Sequence, residues 1–457
     1  MANMHPRFAT VHHSRRGLLK LAGLGVLAAG TPELIAARER ILAQGPIVMR
    51  EESARHPAKA AADFGASIGV NIHASYDDTA YGNRSAWMSA LLDGGFAHLR
   101  TGFTKAPDLM DAYEQLAGHG IKIMLVCDPR EHSATAAAAA LWENPDFARC
   151  IWGAEGPNEM DVNGGEAWAT VARNYIAALS HLLRENPVTA HIRIVAPSLA
   201  QTNRTSVFRQ LGDIGAYVDY ANLHPCPGGC QPSDSLQDMI VSHAAMMAPG
   251  KPIVVSETGY STQQPRGSDA PGGNGPMPPD MAAILIPRLY FENFRAGVAY
   301  TDLYELVDER EDGSWEDSLG LLHHDFSPKP AFTALRAITR LLKDPGEGSF
   351  VPDGLEFKLE GKTRETRMLL LQKRDHGFWL AVWEQVEVWD AHRQEAVLSG
   401  TATFPMNLVL SAKASGTVFV PNTHGTAPAS VFTNSQRISF NASAAVTVIS
   451  IGGTGVV

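Results

Sequence analysis

From about residue 65 to 340, short apolar runs alternate with stretches carrying apolar residues at helical spacing. The runs are "SIGVNIH", "HLRTGF", "IKIMLVCD", "CIWGAEG", "IRIVAPS", "VDYANLH", "PIVVSETG" and "AYTDLYELVD". They are rich in Ile, Val, Leu and small residues and lack strict alternation, the pattern of strands buried on both faces. Between them, "APDLMDAYEQLAGHG", "GEAWATVARNYIAALSHLLREN" and "MAAILIPRLYFENFRAG" read as helices, several stopping at Gly or before Pro. Strand–helix alternation implies a parallel sheet with crossover helices. Eight repeats over about 270 residues predict a (β/α)8 TIM barrel at 65–341, a fold whose usual size is about 250 residues. A doubly wound open sheet is the rival, but its dinucleotide-binding form needs a GxGxxG after the first strand, and none is there.

The pattern changes after residue 342. "KDPGEGSF" is a turn cluster, and "GLEFKLEG", "TATFPMNLVLSA", "GTVFVPN", "SQRISFN" and "AAVTVISIGG" alternate apolar with polar residues between Gly, Asn and Pro. This predicts an all-β sandwich at 342–457. The segment 41–64 is available to pack on it. At the start, Ser14-Arg15-Arg16 precedes an apolar stretch from Leu18 to Ala29. The order of charge and apolar core matches a bacterial twin-arginine export signal over 1–40 and predicts a periplasmic or secreted protein. Export permits disulfides, and the turn "CPGGC" could join Cys226 to Cys230.

The 457-residue chain is 45% hydrophobic, which is globular, and carries a net charge of −10. That balance argues against nucleic acid or an anionic membrane as partner. No apolar run reaches the roughly 18–20 residues of a membrane span, so no insertion is expected once the signal is removed.

TIM-barrel sites are built at the C-terminal ends of the strands. Those ends supply His73, Arg100, Asp128, Asn158 with Glu159, His224, Glu257, and Tyr304 with Glu305. Three βα units of about 31 residues separate Glu159 from Glu257, which puts the two carboxylates across the barrel mouth from each other. Carboxyls about 5–5.5 Å apart suit double displacement at a sugar carbon with retention; about 6.5–9.5 Å suits inversion.

"GPNE" ending the fourth strand, "SETG" ending the seventh, "ANLHP" on the sixth, and "LYELVDE" with "LGLLHHDFSPKPAF" at the eighth resemble clan A glycoside hydrolases, families 5 and 39 nearest. The resemblance spans about residues 65–457 and implies a metal-free retaining glycosidase without cofactors, acting on β-linked oligo- or polysaccharides. Glu159 would be the acid/base and Glu257 the nucleophile. Arg100 would keep Glu257 ionised, apolar neighbours such as Trp152 would keep Glu159 protonated, and Asn158 would bond the sugar 2-hydroxyl. His224 and Tyr304 would orient the nucleophile or line the sugar site. The chain departs from the clan in reading His224-Pro225-Cys226 where His-x-Tyr is usual, and Leu303-Tyr304-Glu305 where many members carry Trp.

Plainer readings stand beside these. Glu155 is expected to be buried or cation-paired. Glu305, His73 and Asp128 each divide between sugar contact and satisfied rim residue. Among Trp87, Trp142, Trp168 and Trp315, Trp315 is the best candidate to stack on a sugar ring. The Pro/Gly-rich stretch 261–280 is too long for an ordinary βα loop and predicts a lid or cleft wall. Rival functions are a transglycosylase remodelling exopolysaccharide and a non-catalytic glycan-binding barrel. A metal-dependent hydrolase is disfavoured, because the strand-end residues do not form a metal set.

Overall fold

The computed structural model describes residues 52–453, apart from 234, 235, 237, 238, 265, 266, 268–274, 347 and 398–401. The expected export segment and residues 265, 266 and 268–274 of the expected lid lie outside the described residues.

Two short strands, β1 (Ala54–Pro57) and β2 (Lys59–Ala60), lead into the helix Ala61–Ala66. Eight strands follow: β3 (Ile68–Asn71), β4 (His98–Gly102), β5 (Lys122–Val126), β6 (Ile151–Glu155), β7 (Arg193–Val195), β8 (Ala221–Leu223), β9 (Ile253–Thr258) and β10 (Val298–Leu303). Each is parallel to its neighbours. β10 returns to β3, and a parallel bridge between Val195 and Tyr220 joins β7 to the start of β8, so the ring closes. A closed ring has no open edge, and the helices between strands cover its outer face. This is the TIM barrel that the strand–helix alternation predicts.

The barrel interior is filled, not hollow. At the N-terminal end Trp152, Tyr220 and Tyr300 pack ring on ring, with centroids 4.7–6.0 Å apart. The fourth-strand tryptophan was expected to wall Glu159; the structure puts it at the opposite end of the strand. A one-residue bulge puts Trp152 between the residues facing Ile123 and Met124. Above it, His98 stacks on Tyr300 at 4.8 Å and bonds Asp302 at 2.6 Å, both side chains being fully buried. This pair occupies space that only a glycine on β3 leaves open. A Cβ on Gly69 would come within 1.9 Å of Asp302 Oδ1.

The C-terminal domain is one sheet folded over itself. Its strands are β11 (Gly354–Glu360), β12 (Thr366–Gln372), β13 (Phe378–Glu384), β14 (Trp389–Asp390), β15 (Glu395–Ala396), β16 (Phe404–Phe419), β17 (Pro428–Ala442) and β18 (Thr447–Ile451). The order is β1-β11-β16-β18-β13-β12-β2, with β17 beside β16 and β14–β15 a separate hairpin. The long β16 loses register near Ala414: its first half pairs β11 and its second half β18. The two layers close on Phe357, Leu380, Val382, Leu408, Ile438 and Ile449. β1 and β2 come from the other end of the chain, so the β domain is completed by residues that precede the barrel.

Period-2 alternation lets β13 serve two cores. Leu380 and Val382 face the sandwich, whereas Trp379, Ala381 and Trp383 join the barrel's apolar cluster. Trp383 donates to Glu292 at 2.8 Å and packs on Phe291, both on the helix Pro279–Ala296. The β domain thus buttresses the helix that follows the Glu257 strand. Among the described residues, no helix is long and apolar enough to cross a membrane.

Candidate active site

Polar residues inside apolar runs build the site from the barrel centre upward. Arg100, on β4, is almost wholly buried. Its Nε and Nη2 donate to the two oxygens of Glu155 on β6, both at 2.7 Å. Nη1 donates to Asn71 Oδ1 at 2.9 Å and to Glu257 Oε2 at 3.2 Å, and Nη2 also reaches Asn158 Oδ1 at 2.8 Å. Burial disfavours the charged guanidinium, but Glu155, then Glu257 and Asp302, outweigh it and raise its pKa above the ordinary arginine value. The primary carboxylate partner of Arg100 is therefore Glu155, and Glu257 is the secondary one.

Glu257 is the penultimate residue of β9. Val255 faces Thr301 and Thr258 faces Leu303, so β9 carries one residue more than β10 across this stretch. The bulge breaks the alternation of faces. Ser256 Oγ consequently reaches His224 Nε2 at 2.8 Å while its neighbour Glu257 reaches Arg100.

Glu159 ends the loop after β6 with φ 50° and ψ 42°, the left-handed region that non-glycine residues rarely adopt. Its N–H donates to Ser198 O at 3.1 Å, which holds this backbone in place. Such an outlier over-determined by its surroundings points to a functional position. The residue is 8% exposed, and His224 Nδ1 lies 2.9 Å from its Oε1. The same nitrogen is 3.8 Å from Glu257 Oε2. One oxygen of each glutamate and a ring nitrogen of His224 all fall within 4.8 Å of one another. Arg100 brings a fixed positive charge to the Glu257 side of this group.

Asn158 is oriented by two donors. Its Oδ1 accepts from Arg100 and from Ser198 Oγ at 2.9 Å, which leaves Nδ2 as the donor end. Its backbone N–H donates to Asp128 Oδ2 at 3.0 Å. Asp128 is in turn held by the backbone N–H and side chain of Arg130, which also bonds the Asn158 carbonyl. Asp128 thus braces the loop that carries Glu159.

No protein-family model matches the chain, and no curated protein matches it in sequence. Solved structures do match in fold. A family 39 glycoside hydrolase from the gut symbiont Bacteroides cellulosilyticus aligns with TM-score 0.56 at 13% identity, over 85% of this chain and 82% of that one. A monomeric β-xylosidase from Caulobacter crescentus gives 0.55 at 12%, over 88% and 98%. A family 30 endoxylanase from Clostridium papyrosolvens gives 0.51 at 10%, over 88% and 98%. The shared architecture is a TIM barrel with a β domain.

The remaining sequence candidates separate. Tyr304 follows β10 directly, and its N–H donates to Thr258 O at 2.7 Å beside the Glu257 strand. A Cβ on Gly259 would come within 2.4 Å of the Tyr304 carbonyl, so only glycine allows this approach. Trp315 is 6% exposed and packed with Tyr304 and Leu319. Trp87, Trp142 and Trp168 sit on outer helices. Glu305 has no exposed surface, and its Oε2 accepts from Tyr81 at 2.8 Å. His73, half-buried, bonds Glu309. The described base of the 261–280 stretch is fixed to the segment after β10, with Thr262 N–H donating to Ser318 O at 2.8 Å. Cys226 and Cys230 are both exposed on the turn after β8.

Sequence reading missed Asn71, Ser198, Ser256, Arg130 and Glu309. Asn71 carried a usable signal, a polar residue inside the apolar run "SIGVNIH". Ser198 and Arg130 sit in loops with no spacing rule to mark them.

Proposed function

We propose that this chain is an exported retaining glycoside hydrolase acting on β-linked oligo- or polysaccharides. The observation that carries the reading is the juxtaposition of Glu159 and Glu257 within 4.8 Å around His224 at the barrel mouth. So close an approach of the two carboxyls favours the retaining arrangement, about 5–5.5 Å between carboxyl groups, over the wider spacing of inversion. The fold shared with xylan- and glycoside-cleaving enzymes supports the same reading. Export is supported by Arg15-Arg16 and the apolar stretch behind them.

In this mechanism Glu257 attacks the anomeric carbon while Glu159 protonates the leaving oxygen. A covalent glycosyl-enzyme forms and the aglycone departs. Water then attacks the anomeric carbon as Glu159 takes its proton, the bond to Glu257 breaks to restore the carboxylate, and the sugar leaves with its original anomeric configuration. The positive charge of Arg100 favours the carboxylate form of Glu257 needed for attack. His224 holds the Glu159 carboxyl from one side, and Asn158 presents Nδ2 toward the sugar 2-hydroxyl, a contact that strengthens in the transition state.

The test is turnover of a panel of aryl β-glycosides and polysaccharides by wild type and Glu257→Ala, with NMR of the first-formed anomer. Wild-type turnover with retention, reduced by orders of magnitude in Glu257→Ala, is expected. Equal rates in the two, or an inverted product, would overturn the assignment.

A further inference from the structure

A second convergence of ligating groups lies outside the Glu159–Glu257 pair. His73, after β3, meets Glu305, two residues after β10, and Glu309, four residues further on. A ring nitrogen and two carboxylate oxygens, one from each residue, fall within 4.8 Å of one another. His73 Nδ1 is already 2.5 Å from Glu309 Oε1.

Glu305 makes this group more than an ion pair. Its side chain is completely buried. Tyr81 satisfies Oε2, but Oε1 is buried with no hydrogen-bond partner. Buried polar oxygens without partners are rare, and each one calls for an explanation such as an ion. The charges nearby deepen the problem. The neighbouring cations are engaged elsewhere: Lys329 bonds Asp308 at 2.7 Å, and Arg310 reaches the other oxygen of Glu309 at 3.4 Å. Among the described residues, no cationic side chain is bonded to Glu305.

We infer that His73, Glu305 and Glu309 form a binding site for a divalent first-row cation, Zn2+ or Mn2+, that joins the end of β3 to the segment after β10. One imidazole nitrogen with two carboxylates is the donor set such ions take, whereas Ca2+ takes six to eight oxygens. Tyr81 is the supporting hydrogen bond that orients the Glu305 carboxylate, as outer groups do around metal ligands. The His73 ring lies 5.4 Å from that of Tyr304, so an ion here also fixes the wall next to the Glu257 strand. The resemblance implies a metal-free chain, and the strand-end residues alone make no metal set; Glu309 stands past the strand end. This site does not depend on the proposed hydrolysis.

The experiment uses the untagged full chain, stripped with a chelator and titrated calorimetrically with Zn2+, Mn2+ and Ca2+, with thermal melting in parallel. One equivalent of Zn2+ or Mn2+ is expected to bind and to raise the melting temperature. Glu309→Gln and Glu305→Gln should each weaken binding at least tenfold, while Glu257→Gln, in the other His–Glu–Glu group, should leave it unchanged. If Glu305→Gln does not fold, Glu309→Gln decides, because that side chain sits nearer the surface. Absence of stoichiometric binding to folded wild type, binding of Ca2+ alone, affinity retained in Glu309→Gln, or affinity lost in Glu257→Gln would each overturn the inference.

Discussion

Arg100 and Glu155 form a closed two-point ion pair in the barrel interior, with both hydrogen bonds at 2.7 Å and neither side chain more than 5% exposed. Every other contact of Arg100, to Asn71, Asn158 and Glu257, depends on where this pair holds the guanidinium. Removing one partner of a buried pair leaves an uncompensated charge and costs about 3–5 kcal/mol. Glu155→Gln should therefore lower the urea midpoint by a corresponding amount. It should also lower kcat/KM, because Arg100 is freed to move toward Glu257. Denaturation curves and steady-state kinetics on one preparation check both effects.

If Glu159 is the acid, its importance depends on the leaving group. Glu159→Ala should reduce turnover about 10²–10⁴-fold on substrates whose departing oxygen needs a proton. The loss should be much smaller for aryl glycosides with an acidic phenol, whose oxygen departs unprotonated. A plot of kcat/KM against leaving-group pKa, steep for the variant and shallow for wild type, is the expected result.

Gly69 makes room for the His98–Asp302 pair, and a methyl group there collides with Asp302 Oδ1. Overpacking of this kind costs about 1–3 kcal/mol. Gly69→Ala should fold with reduced stability, while Gly65→Ala, where no atom stands within 4 Å of the added carbon, should be close to neutral. Thermal melts of the two variants side by side make the comparison.

Burial raises the pKa of Asp302 above the ordinary aspartate value, and His98 offsets this only in part. The folded state thus holds this proton more tightly than the unfolded chain does. Stability from this group is greatest below the ordinary aspartate pKa. It falls as pH rises toward the elevated folded value, then levels off. Asp302→Asn carries no such proton, so the wild-type-minus-variant difference in unfolding free energy should decline with pH from about 4 upward. Urea titrations across pH 4–8 measure it, and a difference that rises with pH would contradict the assignment.

Much of the fold was legible along the chain. Eight apolar runs without strict alternation, each followed by a helical stretch, specify two-faced burial and hence the barrel. Strict alternation after residue 342 specifies the β domain. The strand-end rule brought Glu159, Glu257, Arg100 and His224 to one rim, because barrel geometry puts every strand's C-terminus on the same face. Side-chain partners were less legible. Arg100 was expected chiefly on Glu257 and is held first by Glu155, since both lie one layer deeper than the mouth. Trp315 reads from the sequence as a stacking candidate and Glu305 as either a sugar contact or a satisfied rim residue; both are buried in the segment after β10, and no local pattern announces that burial.

The sequence by itself determined the periodicities, and with them the order of elements and the end of the barrel that bears the acidic residues. Hydrophobic pattern is a local property, and parallel strands leave little freedom in how they close. Only the tertiary structure decided which side chains meet. The bulge in β9 turns Ser256 and Glu257 toward the same interior, and the left-handed backbone at Glu159 delivers its carboxyl to His224. Likewise, Glu309 joins His73 across the full length of the barrel sequence. Such meetings depend on single-residue departures from regular strand geometry, which leave no periodic trace in the chain.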